Sequence, residues 1–215
     1  MRDHWFHELT SHGPFDIPMR IHGRDMLERH LSRGPVFYCA LHLAMSEMPL
    51  RCVLDMGYPV PVPVAANGRT LDGEFCPVIG TRASIPALSA GPYALARMRT
   101  LLQKGTSIAC LADRNYMDAE FNSNPMRLAG RMGVPVLFAL GAMGTDGVVD
   151  VTFEEAPHLY CKTEAEIEEN LNALREKRNG ILRLLDALPP QPETLRQTVP
   201  VLTSSPDETA DSGVA

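Results

Sequence analysis

In ALHLAMSEM, residues 40 to 48, a histidine stands five positions before a glutamate, just where the apolar run Val36 to Leu41 stops. Imidazole ordinarily titrates near neutral pH, so it can take a proton from a hydroxyl or an amine. A carboxylate beside it would fix its tautomer and stabilise the imidazolium that forms. His42 is therefore the candidate general base and Glu47 its orienter. The structural alternative is a strand-end histidine hydrogen-bonded to backbone beside a solvated acid.

The elements around the pair decide whether it can meet. On a regular helix two side chains five apart diverge by roughly 140°, so one helix cannot pair them. The local sequence breaks the chain between them instead. Gly34-Pro35 is a turn signal, and VFYCAL after it is the short β-branched and aromatic run of a strand buried on both faces. Ser46 is the expected N-cap of SEMPLRCVLDMG, with Glu47 at the first helical position, Pro49 in the first turn and Gly57 ending the helix. Glu47 would then lie at the positive end of a helix dipole, where a carboxylate is favoured. His42 would sit at the carboxyl end of a strand, the edge where open α/β sheets place ligands.

Helical and strand patterns alternate through most of the chain. HGRDMLERHLSRG, 22 to 34, predicts a helix; strand 36 to 41 and helix 46 to 56 follow. YPVPVPVAA is extended, its prolines suiting an edge strand, and after NGRTLDGE a loop is expected to about Ser84. PYALARMRTLLQK predicts a helix whose Leu95, Met98 and Leu102 share a face before Gly105. SIACLA, 107 to 112, is a second buried strand, and it delivers Asp113-Arg114-Asn115 to its end. A short helix over 125 to 131 leads to the strand GVPVLFAL, and VVDVTFE alternates as a later strand. Thr163-Glu164-Ala165-Glu166 is a capping-box pattern opening a helix with an apolar stripe at Ile167, Leu171, Leu174, Leu182 and Leu185. These patterns predict an α/β fold: one domain with a mostly parallel central sheet flanked by helices, over residues 22 to 188. Residues 1 to 21 form an amino-terminal arm, and 189 to 215 lack periodicity and read as a disordered tail.

Composition narrows the function classes. At 215 residues and 45% hydrophobic the chain can bury one good core. A net charge of −6 and a pI near 5.6 argue against a nucleic-acid partner, which would call for a basic face. Five scattered cysteines without a C-x-x-C point to a reducing compartment, hence the cytoplasm. No apolar stretch approaches 18 residues, and MRDHWFHELTSHG lacks a signal-peptide core, so contact with lipid is expected to be peripheral, at the cytoplasmic face of a membrane. His4, His7 and His12 have no matching acid or cysteine set, so no metal is expected.

HLAMSE resembles the H-x4-D/E motif of the lysophospholipid acyltransferase superfamily, in the branch of the late lipid A acyltransferases and mycobacterial phosphatidylinositol mannoside acyltransferases. The order of features extends the likeness over about residues 24 to 188: GPVFYCAL, the polar turn Asn67-Gly68-Arg69 after a Val-rich strand, LLQKGTSIACLADRN, then GVPVLFAL. The resemblance implies a glycerol-phosphate-acyltransferase-like fold. It also implies transfer of a fatty acyl group from acyl carrier protein or coenzyme A to an acceptor hydroxyl or amine, on a lipid, glycolipid or small molecule. The thioester serves as co-substrate and no further cofactor is implied. Asp113 falls at a matching family position and is a substrate-binding candidate, though it could merely cap the turn after it. Arg82 and Arg114 are candidates for anchoring phosphate or the acceptor, since guanidinium forks match phosphate oxygens, and Asn67 is a further substrate-binding candidate. Met45, Met48, Met56 and Met98 could line an adaptable acyl channel or simply fill core. Two departures bear on the acceptor: the family's membrane-associated amino-terminal segment and its aromatic, basic ending are not seen here.

Two rival readings are separable. ALSAG, 87 to 91, imitates a nucleophile elbow, and Ser89, Asp113 and His158 follow the chain order of α/β-hydrolases, which would make a serine esterase. Pro86 argues against the strand that an elbow needs. A non-catalytic lipid-binding module with the same fold is the other. Fluorophosphonate labelling of Ser89 would favour the esterase, and lost acyl transfer in a folded His42→Ala variant the transferase. Acyl-chain binding indifferent to both changes would favour the module.

Overall fold

The computed structural model describes residues 18–43, 45–64, 75–77, 84–89, 93–113, 120–144, 146 and 148–187. Its main sheet has five strands in the order β1 (Met19–His22), β8 (Val149–Glu155), β7 (Val136–Met143), β2 (Phe37–Ala40), β6 (Ile108–Leu111). β1 with β8, β7 with β2 and β2 with β6 run parallel; β7 and β8 are antiparallel. The architecture is thus α/β, with a mostly parallel mixed sheet flanked by helices.

Period-two alternation along the central strands sends side chains to two cores. Val36, Tyr38, Leu137 and Ala139 join Leu27 and Leu31 of α1 (Arg24–Leu31) and Met48, Leu50 and Val53 of α2 (Met48–Asp55). Phe37, Cys39, Leu41, Val136 and Phe138 join Met98 of α3 (Ala94–Gln103), Met126 of α4 (Asn124–Met132) and Ile167, Leu171 and Leu174 of α5 (Glu164–Ala187). A strand covered on both faces has no use for polar side chains, which is why β2 is buried throughout. β8 alternates buried and half-exposed residues, as its sequence predicts.

Four expectations need correction. The strand β1 begins within the arm, because Met19–His22 pairs along β8, and α1 accordingly starts at Arg24. Helix α2 starts at Met48, with Glu47 rather than Ser46 as its N-cap and no side-chain cap bond. Its end matches the expectation: Gly57, at φ +86°, lets the Gly57 and Tyr58 N–H groups turn back to the carbonyls of Leu54 and Val53. The loop expected before Ser84 contains β4 (Phe75–Pro77), which pairs with β5 (Ser84–Ser89) in a second, three-stranded sheet with β3 (Val62–Val64). Finally, β5 runs straight into Ser89 despite Pro86. Its ladder to β3 begins only at Ala87, so on that side Pro86 has no strand partner that would need its missing N–H.

Candidate active site

His42 and Asp113 leave the carboxyl ends of neighbouring parallel strands. The β2–β6 ladder pairs Phe37 with Ile108 and Ala40 with Leu111, and Ala112 N–H continues it onto the Ala40 carbonyl. Both residues lie two positions past their strand ends, separated by 71 residues, the offset of the ladder itself. Strand register thus carries the two side chains to one place. Asp113 Oδ1 accepts the His42 backbone N–H at 2.8 Å and lies 3.0 Å from His42 Nδ1. A carboxylate only accepts, so Nδ1 carries a proton in this contact, and in the neutral ring that leaves the lone pair on Nε2.

Exposure is divided unevenly within the pair. The Asp113 side chain is fully buried, whereas that of His42 is 36% exposed. The carboxylate is sealed and the imidazole is part-exposed, the arrangement that a general base would need to reach a substrate. The chain stays tight after His42: Leu43 N–H turns back to Leu41, Ser46 N–H to Leu43 and Met48 N–H to Met45. These turns stand in place of a regular helix, which would have pointed His42 away from the residues five positions on. Asp113 is also fixed through its backbone, which bridges to Phe121 while Asn122 N–H bonds the Ala112 carbonyl.

The carboxylate on Nδ1 is thus that of Asp113, and Glu47, the expected orienter, stands half-buried at the N-cap of α2. Asn67, Arg82 and Arg114 lie outside the described residues, as do His4, His7 and His12. Met45, Met48 and Met98 are core, no more than 2% exposed, and Met56 packs against the core shared by Met45 and Met48. Of the hydrolase trio, the strand into Ser89 is present, but Asp113 is held by His42, and His158 Nε2 lies 2.5 Å from Glu169 Oε2. Among the described residues, no group of three or more His, Cys, Asp or Glu side chains is placed to hold a metal ion, and no helix is long and apolar enough to cross a membrane.

Two residues of the site's surroundings escape a reading of the sequence. Gly141 of β7 lies under the loop after His42, close against the Met45 carbonyl. Arg178 of α5, 8% exposed, places Nε 3.8 Å from Asp113 Oδ2, an ion-pair distance too long for a hydrogen bond. Its signal was present: position 178 continues the stripe of Leu171 and Leu174, four residues beyond the latter, where an arginine breaks an apolar face. No protein-family model matches the chain, and no curated protein matches it.

Proposed function

We propose that the chain is an acyltransferase that moves a fatty acyl group from an acyl thioester, carried by acyl carrier protein or coenzyme A, to an acceptor hydroxyl or amine. The observation that carries the reading is the His42 ring, part-exposed at a strand end, with Nδ1 on the buried Asp113 carboxylate. Nε2 takes the proton of the acceptor as its oxygen or nitrogen attacks the thioester carbonyl. Asp113 stabilises the imidazolium, and the tetrahedral intermediate collapses with loss of the thiolate, which recovers the proton from Nε2. A C–O or C–N bond replaces the C–S bond, and no enzyme nucleophile intervenes. Glu47, in the loop that follows His42, stands at the positive end of α2 and completes the H-x4-E pattern. Arg82, Arg114 and Asn67 are proposed to anchor phosphate or the acceptor. The likeness to the glycerol-phosphate-acyltransferase fold belongs to this proposal, as does a cytoplasmic, membrane-peripheral location.

The test is incubation of the purified chain with a panel of acyl-carrier-protein and coenzyme A thioesters and candidate acceptors, read by mass spectrometry. His42→Ala and Glu47→Ala are each expected to lower turnover at least about a hundredfold, the scale of general-base catalysis. Undiminished transfer by both variants removes the mechanism.

A further inference from the structure

We propose that Arg178 is a positioning residue for the His42–Asp113 pair, compensating the buried Asp113 carboxylate and restraining the proton affinity of the pair. The inference rests on the reading of His42 as a base. Asp113 Oδ1 takes both bonds from His42, while Oδ2, buried, has no hydrogen-bond partner among the described residues and faces the Arg178 guanidinium. A buried carboxylate without a counter-charge is costly, and the cost is relieved when the pair takes up a proton, which His42 holds as an imidazolium against the ionised acid. At 3.8 Å, too far for a hydrogen bond to Oδ2, Arg178 Nε acts on that oxygen as a charge rather than as a donor. Other groups near the pair differ in kind. The Cys39 thiol of β2 is pushed well above its usual range, chiefly by burial, and stays neutral. Arg175, also on α5, stacks 5.1 Å over the Phe121 ring, and Glu47 lies in the loop beyond His42. Among the described residues, Arg178 is therefore the cation set directly on the acid.

The sign of its effect is fixed. A cation beside the pair disfavours adding a proton to it, so removing that cation raises the proton affinity of the coupled pair. NMR titration of the histidine ring carbons in the full chain, with the His42 signal assigned through His42→Gln, is the measurement. In Arg178→Met the His42 midpoint is expected to move to higher pH, and in Arg178→Lys, which keeps the charge, to stay near that of the parent. A folded Arg178→Met protein with an unmoved midpoint overturns the proposal. Should Arg178→Met fail to fold, Asp113→Asn/Arg178→Met decides. Recovery of folding in the double variant supports an Arg178 that acts through Asp113, because the uncompensated charge is gone; continued failure overturns it. The titration needs no substrate, so absence of acyl transfer in the parent protein would sink the proposed function and leave this result standing.

Discussion

Gly141 lies so close under Met45 that a Cβ built at 141 would run into the Met45 carbonyl oxygen. The loop after His42 therefore rests directly on the backbone of β7, and Met45 itself is 2% exposed in the core below. His42 is held from three sides: by β2 behind it, by Asp113 beside it and by a loop seated on a neighbouring strand.

Gly141→Ala is accordingly expected to lift that loop. The cost should be about 1–3 kcal/mol, the usual penalty for forcing an extra methyl group into packed structure. Urea unfolding measures it. A shift of the His42 ring resonances without a comparable change at His158 would show that the disturbance is local, and an unaltered midpoint would mean that the loop yields freely.

Asp113→Asn keeps the shape and an oxygen for the His42 N–H but removes the charge that stabilises an imidazolium. Turnover should fall at least about a hundredfold, with the fold retained by circular dichroism. Equal activity in the parent and the variant would leave His42 working without its acid.

Two strand cysteines are expected to be inert while the chain is folded. Burial holds the Cys110 thiol up at about 12, and that of Cys39 well above its usual range. At pH 8 the Cys110 thiolate is only about one part in ten thousand, and the thiolate is the reactive form. Iodoacetamide followed by peptide mapping should leave both unmodified in buffer and modify both in denaturant. Rapid native labelling would contradict the burial of Cys39 and the part-burial of Cys110.

The start of α5 offers a purely structural test. Glu166 Oε2 accepts the Thr163 N–H at 3.1 Å and that of Lys162 at 2.5 Å, while Thr163 Oγ1 accepts the Glu166 N–H at 3.2 Å. Thr163→Ala and Glu166→Ala should each destabilise the protein by about 1 kcal/mol, and together by less than the sum, because each removes part of the same box. Denaturant midpoints with unchanged slopes would report this.

The part that the sequence determined by itself is local. Apolar runs of four to six residues bounded by Gly, Pro or polar clusters marked β2, β6 and the start of β7, and the capping box at Thr163 and the glycine at 57 marked helix ends. It also set polar residues immediately after two buried strands, so that His42 and Asp113 were both legible as candidates. Their partnership was not. Glu47 is near in sequence, and periodicity can weigh only near neighbours, whereas Asp113 meets His42 because β2 and β6 align in parallel with a 71-residue offset that no local pattern encodes. β4 escaped for a related reason: three residues carry too short a pattern, and the strand exists only through its pairing with β5. Arg178 completes the contrast, since a charge on an apolar stripe is visible in the sequence, but the buried carboxylate that it faces is supplied by packing α5 against the strand ends.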